Sequence, residues 1–230
     1  MPLDLEVLNA RFEASSPQEI LEWALENYWP DIVMSSSFQT QSIPLLHIVA
    51  QIKPELPIYF LDTGYHFPET LAFRDMLQKK WGLNVIDLRN EECDRGVVHP
   101  GEPLYRTDPD RCCYINKVAP MEKALQDMRA WITGIRHEQT VQRPQANILE
   151  QRAHGLIKVN PLLNWTRQEL WQYIHEHDLP LHPLFPRGYL SVGCAPCTRP
   201  VFPGEDERAG RWAEMDKTEC GLHTVLLQSD

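Results

Sequence analysis

The sequence predicts an α/β protein built on a mostly parallel sheet with flanking helices. Short apolar stretches typical of buried strands, such as 31–34 and 56–61, alternate with longer stretches of helical spacing. Polar and turn-forming residues close the apolar stretches. With 230 residues, of which 43% are apolar and 23% charged, the chain can bury one full core. We therefore expect a single domain with N-terminal helices over residues 1–200, followed by a flexible C-terminal tail over 201–230.

The first half of the chain carries the clearest helix and strand signals. Ser16-Pro17-Gln18-Glu19 is a capping box with proline at the first helical position, and apolar residues follow it at helical spacing. The predicted elements are, in order, helix 17–28, strand 31–34, helix 39–51, strand 56–61, helix 67–80 and strand 84–88.

The second half is more irregular. A polar connection over 89–110 contains Cys93, which we interpret as an incidental thiol. Six prolines from Pro180 to Pro203 exclude long regular elements there. The predicted elements are helix 111–128, strand 130–133, a polar loop over 137–154, strand 156–159, a helix from the capping box at Thr166 to about His177, and a short helix within 206–215.

Polar residues follow three of the predicted strands. Ser35-Ser36-Ser37 closes the first strand, Asp62 closes the second, and Arg136 lies just beyond strand 130–133. The carboxyl ends of parallel strands meet at one edge of a sheet, where ligands bind. Hydroxyl and backbone N–H groups that precede a helix suit a phosphate or sulfate. We therefore expect an anion site at this edge, although the glycine spacing of a dinucleotide fingerprint or a P-loop is absent.

Charge and hydropathy exclude several classes of protein. A net charge of −10 argues against a nucleic-acid binder, which needs a basic face. The most apolar run, 43–52, is too short to cross a membrane and contains His47 and Gln51. Acidic residues lie near the N-terminus, where a signal peptide needs basic ones. We therefore expect a cytoplasmic protein with no nucleic-acid or membrane partner, whose cysteines stay reduced.

Four cysteines form two close pairs, Cys112-Cys113 and Cys194-x-x-Cys197. Four thiolates can bind either a tetrahedral zinc ion or an iron–sulfur cubane. Structural zinc usually uses two C-x-x-C pairs, whereas adjacent cysteines suit the larger span of a cubane, so the pattern favours a cluster. A zinc-stabilised interaction module without chemistry is the alternative from another functional class.

A further cysteine, Cys220, lies near the C-terminus in the stretch Lys217-Thr218-Glu219-Cys220-Gly221-Leu222-His223. The thiolate is the reactive form of cysteine, and neighbouring cations such as Lys217 and His223 favour it. Gly221 permits a turn that presents the thiol instead of packing it. The stretch therefore predicts a reactive cysteine on a terminal segment that can open and close.

Three more cations could bind an anion near this thiol. Lys117 follows Cys113 by one helical turn on the same face, and Arg208 and Arg211 share a face of the predicted short helix. Acidic residues outnumber basic ones in the tail. Individual arginines, and not a general positive field, would therefore bind the ligand.

Together these motifs closely resemble those of the assimilatory adenylyl-sulfate and phosphoadenylyl-sulfate reductases, over roughly residues 30 to 225. The motifs that carry the resemblance are Ser35-Ser36-Ser37-Phe38, Leu61-Asp62-Thr63-Gly64, Cys112-Cys113-x-x-x-Lys117, Gly134-x-Arg136, Cys194-x-x-Cys197, Arg208-x-x-Arg211 and Glu219-Cys220-Gly221-Leu222-His223.

The resemblance implies a fold like that of the adenine-nucleotide α-hydrolases and the thioredoxin-dependent reduction of a sulfonucleotide to sulfite. It implies that Cys220 attacks the sulfur atom of the sulfonucleotide. We also expect the protein to form a homo-oligomer. The residues implied to hold a 4Fe-4S cluster are Cys112, Cys113, Cys194 and Cys197. The residues implied to contact the substrate are Ser35, Ser36, Ser37, Asp62, Lys117, Arg136, Arg208, Arg211 and His223.

Two features of the resemblance point to different substrates. Four cluster cysteines are typical of members that use adenylyl sulfate, whereas Ser35-Ser36-Ser37-Phe38 is closer to the loop of members that use phosphoadenylyl sulfate. We favour adenylyl sulfate because the cluster is the costlier feature to keep, with phosphoadenylyl sulfate or dual use as the alternative. A cluster-bearing tRNA thiolation enzyme is a more distant alternative, and it should have an ATP-binding loop and a basic surface, which this sequence lacks.

Overall fold

The computed structural model describes residues 4–90, 103–139, 145–213, 215 and 217–223. Its strands are β1 (Ile32–Ser35), β2 (Pro57–Leu61), β3 (Asn84–Leu88), β4 (Ala130–Ile132), β5 (Leu149–Gln151) and β6 (Ile157–Val159). They form one sheet in the order β3-β2-β1-β4-β6-β5. All neighbouring strands pair in parallel except β5, which pairs antiparallel with β6 at one edge. The structure thus confirms the predicted fold class.

Helices flank this sheet. They are α1 (Leu5–Phe12), α2 (Pro17–Tyr28), α3 (Ile43–Ile52), α4 (Pro68–Trp81), α5 (Leu104–Thr107), α6 (Pro109–Cys113), α7 (Ala119–Leu125) and α8 (Arg167–Glu176). Both predicted capping boxes are present, because Ser16 and Thr166 each exchange hydrogen bonds with a glutamate three residues later. In the described ranges, no helix has the length and apolar character needed to cross a membrane.

Alternation along the central strands divides the core between the two faces of the sheet. Ile32 and Met34 of β1 belong to the larger cluster of buried residues, whereas Val33 between them belongs to a smaller one. Trp131 of β4 also belongs to the smaller cluster, together with Leu222. Leu222 lies in the C-terminal segment, by which we mean the described residues 201–213, 215 and 217–223. The C-terminal segment therefore packs on the sheet face that carries Val33 and Trp131.

The structure differs from three predicted elements: the loop 137–154, the helix 111–128 and the helix within 206–215. The predicted loop 137–154 contains β5, whose three residues complete one edge of the sheet. The predicted helix 111–128 consists of α6 and α7 joined by a π-helical turn at Tyr114–Val118. Cys93, interpreted as incidental, lies outside the described residues.

The described residues of 206–215, where a short helix was predicted, form turns instead. Their backbone pairs with a neighbouring segment: Arg199 N donates to Gly210 O at 2.9 Å, and Thr198 and Arg211 form an isolated β-bridge. A Cβ at Gly210 would lie 2.2 Å from Arg199 O, so only glycine permits this close approach. The pairing fixes the position from which Arg211 projects.

Candidate active site

A cavity of about 290 Å³ lies at the carboxyl ends of the strands, where the sequence predicted an anion site. Its walls are formed by the end of β1, the start of α3, the π-helical turn, the loop after β4 and the C-terminal segment. Of the predicted catalytic and substrate-binding residues, those that line it are Ser35, Ser36, Ser37, Lys117, Arg136, Arg208, Arg211, Cys220 and His223. The fold therefore brings together groups that are up to 188 residues apart in sequence.

The serine loop, residues 35–37, leaves β1 and turns toward the cavity. Phe38 adopts a left-handed conformation with φ 52°, and its fully buried ring packs edge-on against Phe60 at 5.8 Å between centroids. Ser36 Oγ accepts from Phe38 N at 3.2 Å, which closes the bend. Buried packing of Phe38 thus holds a backbone conformation that is uncommon for a bulky residue and keeps the three hydroxyls at the cavity wall.

Arg136 is buried, with 2% of its surface exposed. Its Nη2 donates to Gln41 Oε1 at 3.2 Å and its Nη1 to Trp165 O at 3.3 Å, with Glu138 Oε2 at 3.5 Å. Burial lowers the pKa of Arg136, and Glu138 partly opposes that change. Its Nε has no hydrogen-bond partner in the described part of the chain. A buried N–H group at a cavity wall is a candidate donor to a ligand.

The C-terminal segment is fastened to the body of the domain by Glu207. This carboxylate accepts from Gln41 Nε2 at 2.8 Å and lies 2.9 Å from Arg167 Nε at the start of α8. The next residue, Arg208, donates to Thr218 O at 2.7 Å and lies 3.5 Å from Glu219. These contacts hold the segment that carries Arg208 over the cavity.

Lys117 and Arg211 lie between the main cavity and a second, smaller one, since both residues line both cavities. Burial would lower the pKa of Lys117, but the thiols of Cys194, Cys220 and Cys113 outweigh it and raise the pKa. Arg211 packs against the chain at Gly193, where a Cβ would lie 2.3 Å from its Nη2. The two cations are therefore placed between the Cys220 side and the paired cysteines.

The four predicted cluster ligands, Cys112, Cys113, Cys194 and Cys197, line the smaller cavity. Burial, reinforced by the Cys113 thiol, raises the pKa of Cys112 to about 11. Burial also acts to raise the pKa of Cys194, but Lys117 and a hydrogen bond with Thr63 at 3.3 Å lower it overall. The two cysteine pairs thus meet around one space that also contains positive charge.

This donor set has the number and type of ligands that a 4Fe-4S cluster requires. Within the described ranges, no three His, Cys, Asp or Glu side chains converge in the way that one ion requires. Four thiols around a shared cavity supply the complete ligand set of a 4Fe-4S cluster, whose ligands are farther apart. Lys117 and Arg211 would offset the negative charge of four thiolates.

Cys220 lines the main cavity and is partly exposed. It also packs against the smaller group of buried apolar residues, which includes Val33 and Trp131. Leu222, two residues later, is buried with 9% of its surface exposed. The His223 imidazole stacks on the Trp131 indole, with ring centroids 5.6 Å apart and planes 11° apart. Leu222 and His223 therefore pack on the sheet, while Cys220 lines the cavity.

Two charged residues that the sequence pointed to, Asp62 and Lys217, form ion pairs outside the main cavity. Asp62 is not among the residues that line the main cavity; its carboxylate accepts from Gly64 N at 3.0 Å and from Arg89 Nε at 2.9 Å. It therefore stabilises the turn after β2. Lys217 forms an ion pair with Asp110 at the start of α6, so its charge fastens the segment to the cysteine-bearing helix and is not directed into the cavity.

Sequence reasoning did not single out several residues of the site. They are Gln41, which accepts a hydrogen bond from Arg136, Trp131, which donates one to Ser35, and the ion pair of Glu207 with Arg167, which lines the cavity. Gln41 could have been found, because it follows the serine loop just before a helix. Arg167 and Glu207 carried no signal, since their pairing joins positions that are distant in sequence.

Comparison with known proteins identifies the family. Residues 31–200 match the phosphoadenosine phosphosulfate reductase domain. An adenosine 5′-phosphosulfate reductase of Salinibacter ruber is 41% identical, with 98% of this chain and 91% of that protein covered. A phosphoadenosine 5′-phosphosulfate reductase of Gloeobacter violaceus is 40% identical, with 95% and 93% covered.

A solved structure agrees with these relatives. The phosphoadenylyl-sulfate reductase of Candida auris, crystallised with phosphate, superposes with a TM-score of 0.73 at 26% identity, covering 85% of this chain and 97% of that one. The domain match spans all six strands of the sheet and the four paired cysteines. The chain therefore belongs to the phosphoadenosine phosphosulfate reductase family.

Proposed function

We propose that this protein reduces adenylyl sulfate to sulfite and AMP, with Cys220 as nucleophile and thioredoxin as reductant. The observation that carries the proposal is the single cavity shared by Cys220, the serine loop and the cations Lys117 and Arg211. A thiol beside a site for anions suits the transfer of a sulfonate from a nucleotide. A relative named adenosine 5′-phosphosulfate reductase, similar over nearly the whole chain, supports this reaction.

The first step is attack of the Cys220 thiolate on the sulfur atom of the sulfonucleotide. A bond forms between Cys220 Sγ and this sulfur, while the bond from the sulfur to the bridging phosphate oxygen breaks. AMP leaves with that oxygen and the electron pair, and Cys220 becomes S-sulfocysteine. Because AMP is a good leaving group, covalent catalysis divides the reduction into two accessible steps.

The second step releases sulfite. One thiolate of reduced thioredoxin attacks Cys220 Sγ, and sulfite leaves with the electron pair of the S–S bond. The second thioredoxin thiol then resolves the mixed disulfide, so thioredoxin is oxidised and the Cys220 thiol is restored. Since thioredoxin must reach a cysteine at the cavity wall, we infer that the tail 201–230 opens at this stage. Dependence on reduced thiols favours the cytoplasm as the compartment.

The cations of the cavity would bind and orient the phosphosulfate. Lys117, with its raised pKa, stays protonated and can offset charge on the transferring sulfonate. Arg208 and Arg211 would hold phosphate and sulfonate oxygens through paired N–H groups. The Arg136 Nε and the serine hydroxyls supply further donors at the same wall.

Cys112, Cys113, Cys194 and Cys197 would hold a 4Fe-4S cluster. When bound, the cluster supplies a fixed charge distribution beside the phosphosulfate, and two-electron thiol exchange needs no electron from it. Lys117 lies at both cavities and would feel both the cluster ligands and the substrate. Its position therefore depends on the integrity of the cysteine set.

The charges around Arg136 and Arg167 favour adenylyl sulfate over its 3′-phosphorylated form. Each arginine faces a carboxylate, Glu138 at 3.5 Å and Glu207 at 2.9 Å, and both carboxylates line the cavity. A second phosphate group bound beside these two arginines would also meet their carboxylate partners, which repel it. Phosphoadenylyl sulfate is the second candidate, because the relative of Gloeobacter violaceus, which is named for that substrate, is similar to 95% of this chain.

The test is an assay of the purified protein with each sulfonucleotide and thioredoxin, together with iron and acid-labile sulfide analysis. We expect sulfite release to be faster with adenylyl sulfate, iron and sulfide to be present, and Cys220→Ser to abolish release while leaving the cluster absorbance unchanged. Cys93→Ser is the matched control and should retain activity. Activity in Cys220→Ser would contradict the mechanism. A colourless, zinc-loaded protein would contradict the assignment of a cluster. Faster sulfite release from phosphoadenylyl sulfate would contradict the choice of substrate.

A further inference from the structure

Trp131 is the point at which the serine loop and the C-terminal segment meet. Its indole is 1% exposed and lies in the middle of β4, on the sheet face that carries the smaller buried cluster. Its Nε1–H donates to Ser35 Oγ at 2.9 Å. Its ring face stacks on the His223 imidazole, with centroids 5.6 Å apart. One rigid side chain thus contacts the anion-binding loop and the segment that carries Cys220.

The hydrogen bond to Ser35 fixes the direction of the serine hydroxyl. An indole N–H can only donate, so Ser35 Oγ must be the acceptor, and its own hydrogen is left for another acceptor. In the described part of the chain, Ser35 Oγ makes no other hydrogen bond. Ser35 also lines the main cavity. Trp131 therefore presents the Ser35 hydroxyl as a donor, which is what an anionic oxygen of a ligand needs.

The stacking contact seats the C-terminal segment. Leu222 packs into the same buried cluster as Trp131, and His223 covers the indole face in a nearly parallel arrangement. On the neighbouring strand, Lys158 is paired in register with Trp131, and its Nζ lies 6.0 Å from the ring centroid. Because β6 limits the ring on that side, the indole offers a fixed platform to the segment.

We propose that Trp131 is a positioning residue that couples occupation of the Ser35 site to seating of the Cys220 segment. The coupling, which rests on the proposed function, seats the Cys220 thiol at the cavity when substrate occupies the Ser35 site. A ligand oxygen bound by Ser35 strengthens the chain of hydrogen bonds through the indole, and the fixed indole favours the stacked position of His223. Binding at the loop and closure of the segment then stabilise each other.

Two substitutions separate the contacts of Trp131. Trp131→Phe removes the N–H donor and keeps an aromatic face for His223, whereas Trp131→Leu removes both. For the Phe variant, we expect about a tenfold loss in kcat/KM for adenylyl sulfate, mainly through KM, from one lost hydrogen bond. Ser35→Ala should lose a similar factor, and the double variant should lose no more than either single variant. Trp171→Phe on α8 is the matched control and should match wild type.

Alkylation of Cys220 by iodoacetamide, followed by mass analysis of its peptide, reports segment seating without turnover. AMP should slow alkylation in wild type, and this protection should be lost in Trp131→Phe. In ligand-free protein the Phe variant should react within twofold of wild type and the Leu variant about tenfold faster. Any of four results would overturn the inference. In the kinetics, these are additive losses in the double variant or an unchanged KM in the Phe variant. In the alkylation assay, they are equal rates for the Leu variant and wild type or no protection by AMP. An absence of sulfite from wild type would instead refute the proposed function, while the alkylation rates would still decide the role of Trp131.

Discussion

Substitution of Gly193 by alanine tests whether the position of Arg211 governs the reaction. A Cβ at this residue would lie 2.3 Å from Arg211 Nη2, 2.4 Å from Cζ and 2.9 Å from Nε. Ordinary contact begins at 3.4 Å, so the whole guanidinium must shift by about 1 Å. A misplacement of that size can cost about 100-fold in rate, or about 2.7 kcal/mol of transition-state stabilisation. We therefore expect kcat/KM of Gly193→Ala to fall by about two orders of magnitude.

The assay is sulfite release under thioredoxin turnover, with iron content and thermal unfolding measured on the same samples. A double-variant cycle provides the control: if the added methyl group acts by displacing Arg211, Gly193→Ala should cause no further loss in an Arg211→Ala background. Gly193→Ala with wild-type kcat/KM, or losses that add in the double variant, would refute this reasoning. Loss of iron in the single variant would show that the methyl group acts on the cysteine site beside it and not through Arg211.

Three further predictions follow from other contacts. Glu207→Gln weakens the partly exposed pair with Arg167, so KM should rise about fivefold, equivalent to about 1 kcal/mol; an unchanged KM would exclude Glu207 as an anchor of the segment. Lys117→Ala should lower kcat/KM by about 100-fold and weaken nucleotide binding measured by calorimetry, and retained affinity would contradict its role. Burial lowers the pKa of His182 to about 4. Because the unfolded chain takes up the proton at higher pH, the free energy of unfolding should fall by about 3 kcal/mol as the pH drops from 6.5 to 4. His182→Asn should flatten the dependence of Tm on pH in this range.

The sheet was predictable because its central strands are short apolar runs closed by polar turns. All five predicted strands are present, and the central ones, β2, β1 and β4, pair in parallel on both sides. The edge strand β5 was missed because only three residues pair, and its polar pattern resembles that of a loop. The helix predicted within 206–215 failed because the backbone around Gly210 pairs with Arg199, a tertiary contact that local spacing does not encode.

Much of the candidate site was predictable for a similar reason. The serine loop and Arg136 follow strands, so their meeting at one sheet edge is a consequence of topology. The residues that hold the site residues in place were not predictable. Gln41 and Glu207 are 166 residues apart, and nothing in their local sequence indicates that they pair. Asp62 follows a strand as the serine loop does, but Arg89 neutralises it, which only the structure reveals.

The central claim is that Cys220 accepts a sulfonate before any reductant acts. The most direct measurement is intact and peptide mass analysis of protein incubated with adenylyl sulfate in the absence of thioredoxin and other thiols. We predict a sulfonate adduct on the peptide that contains Cys220, its absence from Cys220→Ser, and its removal when reduced thioredoxin is added. Sulfite release by a protein that never carries this adduct, or an adduct on a different cysteine, would contradict the account.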